Sequence, residues 1–88
     1  MDKIKVYFVS DGTGLSTEQL GKSILIQFPD IDFEYKTIPF VNTLKKAQAL
    51  VKIIKQEPSS MVFSTLVYDE LNELFDRGDF FHVNFLKQ

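Results

Sequence analysis

Ser10-Asp11-Gly12-Thr13-Gly14 follows directly on the apolar run Val6-Tyr7-Phe8-Val9 and runs straight into a segment with helical patterning. Two hydroxyls, a carboxylate and two glycines in that position suit the capture of an oxyanion. Glycine lets the backbone approach closely and take positive φ. The first turn of the following helix offers unpaired N–H groups and a positive dipole end. Ser16 adds a hydroxyl at the start of the helical segment, and Ser64-Thr65 adds two more after a later apolar run. The candidate ligand or phosphate site is therefore Ser10, Asp11, Gly12, Thr13, Gly14, Ser16, Ser64 and Thr65. Asp11 repels a bare phosphate unless a cation intervenes, so it could instead hold Mg²⁺ or bond a sugar hydroxyl. The alternative is a plain turn between strand and helix, in which these residues serve backbone geometry and capping alone.

Two sharper motifs fail on spacing. Gly21-Lys22-Ser23 has the ending of a P-loop, but the G-x-x-x-x-G-K-[ST] pattern needs glycine where Ser16 stands. These residues also fall inside the expected helix, where they cannot wrap a phosphate. Asp11-Gly12-Thr13 has the ending of the D-x-D-G-T phosphatase motif, whose nucleophilic aspartate would fall at Val9. His82 is the single histidine, with no nucleophile or metal-ligand cluster beside it in sequence, and reads as structural. Asp69, Glu70, Glu73 and Asp76 read as a solvated acidic helix face, and the scattered Ser and Thr residues form no triad.

The 88 residues allow one small domain, and 44% hydrophobic content with nine Phe supplies its core. Cysteine is absent, which excludes disulfides and thiolate metal sites. The formal net charge is −2 and the ten basic residues are scattered, unlike a nucleic-acid footprint. No apolar run approaches the roughly 20 residues that span a bilayer, and Met1-Asp2-Lys3 lacks a signal-peptide layout. The expectation is a cytoplasmic protein that binds neither nucleic acid nor membrane.

The elements that must position the candidate site alternate. Lys3–Val9 predicts a buried strand. Ser16 and Gln19 suit a capping box for a helix whose stripe is Leu20, Ile24 and Phe28, stopped by Pro29-Asp30. Phe33–Ile38 predicts a second strand. Asn42 or Thr43 caps a second helix with Leu44, Ala47, Val51 and Ile54 inward, broken by Pro58-Ser59. Met61-Val62-Phe63 predicts a third strand, and Val67, Leu71, Leu74 and Phe75 a third helical stripe ended by Gly78. Phe81, Val83 and Phe85 alternate with Phe80, His82 and Asn84 as in a fourth strand. This order predicts a single α/β domain over 1–88: a three-layer α-β-α fold with a mostly parallel sheet of about four strands in order 2-1-3-4. Ligands of such sheets bind beyond the carboxyl ends of the strands where strand order reverses, which is where the first loop lies. The Phe80–Phe85 strand would be an exposed apolar edge, which gives the expectation of self-association, as a homodimer through that edge.

Three blocks, VSDGTGLSTEQLGKSILIQFP (Val9–Pro29), TIPFVNT (Thr37–Thr43) and MVFSTLV (Met61–Val67), together resemble the regulatory proteins of pyruvate, phosphate dikinase and phosphoenolpyruvate synthase, the bifunctional kinase/pyrophosphorylase family. The resemblance covers about Val6 to Phe75 and corresponds to the amino-terminal part of the family's sequence. It implies a parent that phosphorylates a threonine of the dikinase or synthase with ADP as donor, and reverses this with inorganic phosphate, releasing pyrophosphate. ADP and phosphate are the implied substrates, with Mg²⁺ as the ion that could accompany them; no tightly bound cofactor is implied. The family's P-loop lies in a later part that these residues do not contain, so the expectation is an excised or truncated domain, inactive by itself. It would either help hold nucleotide or phosphate, or act as a non-catalytic docking module for the target enzyme; a plain α/β scaffold is the bland alternative.

Overall fold

A computed structural model describes residues 3–87. The chain runs β1 (Ile4–Ser10), α1 (Leu15–Leu25), β2 (Phe33–Ile38), α2 (Leu44–Lys55), β3 (Ser60–Thr65), α3 (Asp69–Asp76) and β4 (Phe81–Asn84). The four strands form one parallel sheet in the order β2-β1-β3-β4, as the alternating pattern predicts. Val9 lies opposite Ile38 and Ser64, Ser10 lies opposite Thr65, and Ser64 lies opposite Asn84. The carboxyl ends of the strands thus share one edge.

Each side of the sheet has its own core. On the back, α2 and α3 cover Tyr7, Val9 and Val62 with Ala47, Leu50, Ile54, Leu66, Leu71 and Phe75. On the front, α1 alone covers Val6, Phe8 and Phe63, with Leu25 as its buried apolar contribution. Thr43 caps α2 by accepting the Lys46 N–H, as expected. Lys52 and Lys55 sit in the last turn of α2, while Asp69 and Glu70 sit in the first turn of α3; both placements oppose the helix dipole favourably.

Leu44, placed inward on α2, and Val67, placed on the third helical stripe, are exposed, and Val67 precedes α3; α1 differs more. Gly14, not Ser16, caps α1, in left-handed geometry with φ 87° and no side-chain cap; Ser16 is already helical, so the Ser16–Gln19 box does not form. The buried face of α1 is Thr17, Gly21 and Leu25, while Leu20, Ile24 and Phe28 are 48%, 39% and 50% exposed. The reason is close approach: a Cβ on Gly21 would lie 2.2 Å from the Phe8 ring, so the small face of the helix seats on the aromatic and the large side chains flank it. On β4, Phe81 and Val83 are exposed, while His82 turns inward behind α3 and Asn84 is buried. Asn84 explains that choice. Its amide accepts from the Leu66 and Leu86 N–H groups and donates to Leu66 O and Asn72 Oδ1, so it stitches β4 to the chain leaving β3.

Candidate functional site

The carboxyl edge of the sheet gathers three loops. The segment after β2 is zipped to the loop after β1 by Phe40 N–H donating to Gly12 O and Val41 N–H to Ser10 O, both at 2.8 Å. The chain after β3 is tied to the same loop by Val67 N–H donating to Asp11 Oδ2 at 3.1 Å. Asp11 thereby acts first as a staple between loops.

Under α1's first turn lies a polar concavity of about 340 Å³ lined by Ser10, Asp11, Thr13, Gly14, Ser16, Thr17, Thr65 and Leu86. A relay of hydroxyls runs beneath it. Thr17 and Thr65 hydroxyls lie 2.6 Å apart, Thr65 donates to Ser10 Oγ at 3.1 Å, and Gly12 N–H donates to Ser10 Oγ at 3.0 Å. Since Thr65 has one proton and spends it on Ser10, Thr17 donates to Thr65, and the Ser10 proton is the donor left over. Above, Gly14 provides no side-chain cap for α1; Thr13 Oγ1 accepts the Leu15 N–H at 3.5 Å, while the Ser16 and Thr17 N–H groups have no side-chain acceptor among the described residues. Gly14 is fixed by both backbone and space: its φ is 87°, and a Cβ there would meet Thr37 Cγ2 at 2.8 Å. Gly12 has neither constraint; its added Cβ would meet nothing closer than 3.8 Å. Beside the pocket, Thr37 donates to Glu18 Oε2, and Lys22 donates to Glu18 Oε1; these bonds hold the Glu18 carboxyl below its ordinary pKa.

Of the sequence candidates, Ser10, Asp11, Thr13, Gly14, Ser16 and Thr65 line this concavity, and Gly12 shapes the loop from behind Ser10. Ser64 does not join them. Strand alternation turns it to the back of the sheet, where it is fully buried with its Oγ 2.8 Å from His82 Nε2. His82 Nδ1 lies 2.6 Å from Asp76 Oδ1. Burial lowers the His82 pKa below its ordinary value, against the raising effect of Asp76. The imidazole is therefore neutral near pH 7, donating from Nδ1 to Asp76 and accepting from Ser64. Serine, histidine and carboxylate have the connectivity of a hydrolase triad, but Ser64 is 0% exposed, so no substrate reaches its oxygen. Contrary to the expectation of no triad, the three residues do connect, with Ser64 buried.

Thr17 and Leu86 were not singled out in the sequence. Thr17 carried a signal, since it stands three residues after Gly14 in the expected first turn; Leu86 carried none. For Mg²⁺ the fit is partial: among the described residues no group of three His, Cys, Asp or Glu could hold a metal, and Asp11 is the pocket's single carboxylate. A divalent ion there would draw most ligands from phosphate and water. Among the described residues, no helix is long and apolar enough to cross a membrane.

A model of the kinase/pyrophosphorylase family matches residues 6–87. A protein of Marinobacter nauticus is 38% identical over 87 residues, covering 93% of this chain and 32% of its own. One of Laribacter hongkongensis is 39% identical over 88 residues, covering 88% and 32%, and one of Thiocapsa roseopersicina is 36% identical over 83 residues, covering 89% and 31%. Their names assign all three as phosphoenolpyruvate synthase regulatory proteins. The chain spans about a third of the length of these relatives. With a family match running over nearly every residue, this chain belongs to the kinase/pyrophosphorylase family.

Proposed function

We propose that this chain is the amino-terminal domain of a regulatory phosphotransferase acting on phosphoenolpyruvate synthase or pyruvate, phosphate dikinase. In one direction the parent moves a phosphoryl group from ADP to a target threonine, leaving AMP. In the other, inorganic phosphate takes that group from the phosphothreonine and leaves as pyrophosphate. This domain's part is to hold the oxyanion of nucleotide or phosphate, while the phosphoryl-transfer machinery lies in the rest of the parent.

The observation that carries the reading is the concavity under α1's first turn, with the Ser10 hydroxyl proton free beneath it. Backbone N–H groups, helix dipole and hydroxyl donors all favour negative charge there. Thr13 and Ser16, both exposed, add donors at the rim. Asp11 opposes a bare anion, and a Mg²⁺ carried in with the phosphates would offset it.

Calorimetric titration of the 88-residue chain with ADP, with and without Mg²⁺, and then with phosphate tests the reading. Saturable binding is expected. Gly14→Val abolishes it, and Thr65→Val, which keeps the side-chain shape and removes the relay, weakens it about tenfold. Absence of binding at millimolar ligand rejects this oxyanion role.

The same reading extends to self-association. Phe81 and Val83 on β4 are 51% and 37% exposed, and pairing of two copies through the Phe80–Phe85 edge would cover them. A monomer in sedimentation at high concentration would rule that pairing out.

A further inference from the structure

Away from the hydroxyl pocket, on the back of the sheet, α2 carries four lysines (Lys45, Lys46, Lys52, Lys55) and no acidic residue, in a chain whose net charge is −2. All four are exposed. Among the described residues none of them pairs with a carboxylate; Lys46 Nζ donates to Phe40 O and Asn42 Oδ1, neutral acceptors that leave its charge unbalanced. Lys36 stands on the same face of β2 as Ile38, and Glu34 is the one carboxylate on that face of the strand.

Beside these charges, with Lys46 alone of them in its lining, runs a groove. It has a volume of about 430 Å³ and runs between the turn after β2 and two turns of α2, with Ile38, Leu50 and Ile53 as apolar walls and Lys46 at its mouth. Phe40 is the unusual member. Its φ is 59°, a left-handed conformation that a bulky side chain adopts only at a cost. The bonds from Phe40 N–H to Gly12 O and from Val41 N–H to Ser10 O hold it there. Its ring is 53% exposed, so the strain is not offset by burial in the core. The strain instead keeps an aromatic at the lip of an apolar groove.

We propose that this groove is a docking site for an acidic peptide segment of a partner protein, which inserts an apolar or aromatic side chain between Phe40, Leu50 and Ile53 and sets its carboxylates against Lys45, Lys46 and Lys52. Charge complementarity selects the acidic segment, and the aliphatic walls select a protein over a nucleic acid, which would call for a continuous phosphate track and stacking faces. The proposal does not rest on the phosphoryl-transfer reading, since the groove opens on the other side of the sheet and would be present in a chain that binds no nucleotide.

The test is fluorescence anisotropy of the 88-residue chain with the labelled peptide EEDFLEED. Saturable binding is expected, roughly tenfold weaker at about 0.3 M salt than at low salt. Replacing the peptide's two apolar residues by alanine is expected to weaken binding at least tenfold. Phe40→Gly is the decisive variant: glycine accepts φ 59° without strain. The melting temperature should hold or rise while affinity falls at least fivefold. Lys45→Glu combined with Lys52→Glu, both exposed, should abolish binding without unfolding the chain. The proposal is overturned by no binding at millimolar peptide, or by equal binding of the alanine peptide. It is equally overturned by an oligothymidylate of matched charge that binds as tightly and is indifferent to Phe40→Gly.

Discussion

Ser64 and Thr65 are consecutive on β3, yet they belong to different hydrogen-bonded clusters on opposite sides of the sheet. Thr65 joins Ser10 and Thr17 on the front, beneath a concavity open to ligand. Ser64 joins His82 and Asp76 on the back, sealed beneath α3 and the Phe75 ring. The two clusters use similar residue types for different ends. In the back cluster Ser64 and His82 satisfy each other away from water, with Asp76 holding the ring from the surface, so they specify how β4 docks. In the front cluster the Ser10 proton is left over and Gly14 gives the helix turn above it no side-chain cap, which are the features on which the proposed oxyanion role rests. Which side of a strand a hydroxyl faces thus decides whether it can be a site or only a joint.

The sharpest way to break this comparison is to disturb the seating of the front side. Gly21→Leu forces a side chain into the Phe8 ring and should cost about 3 kcal/mol or unfold the chain, read by urea denaturation. A cost below 1 kcal/mol would mean that α1 is loosely held and that the geometry over the hydroxyls is not fixed. Next comes the contrast between the clusters. His82→Ala opens a cavity and strands the buried Ser64 hydroxyl, for a loss of about 2–3 kcal/mol. Thr65→Ala removes one partly exposed hydroxyl and should cost only about 1 kcal/mol while impairing ligand binding. Equal losses would erase the distinction between joint and site.

The smallest effect is on pH dependence. The unfolded His82 titrates near its ordinary value of 6.5 and the folded one below it. Between those values the unfolded chain binds the extra proton, so stability rises with pH across the window. His82's contribution is complete above about 6.5 and falls as the pH is lowered through the window to the folded value. Glu18 and Asp69, lowered mainly by their bonds to Lys22 and Lys87, add stability that is complete above their ordinary carboxylate values and is lost as the pH falls through their folded values, below the His82 window. The quantity to measure is therefore the difference between the native chain and His82→Gln across pH 5–7. A wild-type slope no steeper than the variant's would show that the imidazole is not held neutral.

Much of this architecture is legible in the sequence because it rests on local signals. Alternating apolar runs and helical stripes, with Pro and Gly at the breaks, are enough to yield four strands and three helices in a parallel sheet. Thr43 reads as a cap because capping is a contact between near neighbours. The loop Ser10–Gly14 reads as a candidate site because a glycine-rich turn between strand and helix faces the strand-order switch whatever the rest of the chain does. What escapes the sequence depends on residues far apart. The Leu20–Ile24–Phe28 stripe looks like the inner face of α1 until the Phe8 ring is set against Gly21. Phe81 and Val83 alternate with His82 and Asn84, and which pair faces inward is open until Asn84 finds Leu66 and Asn72.

The sequence by itself determined the order of elements, the sheet topology and the family, and it singled out one loop as a candidate for an oxyanion. These follow from periodicity, turn chemistry and short blocks of residues read in order. Only the tertiary structure decided that Ser64 is a joint while Thr65 lines the front concavity, that Thr17 completes the hydroxyl relay, and that Phe40 is held strained beside a groove whose lining includes Lys46. The physical reason is the same each time. A hydrogen-bond partner across 18, 48 or 55 residues of chain is fixed by strand register and helix seating, which no local pattern encodes.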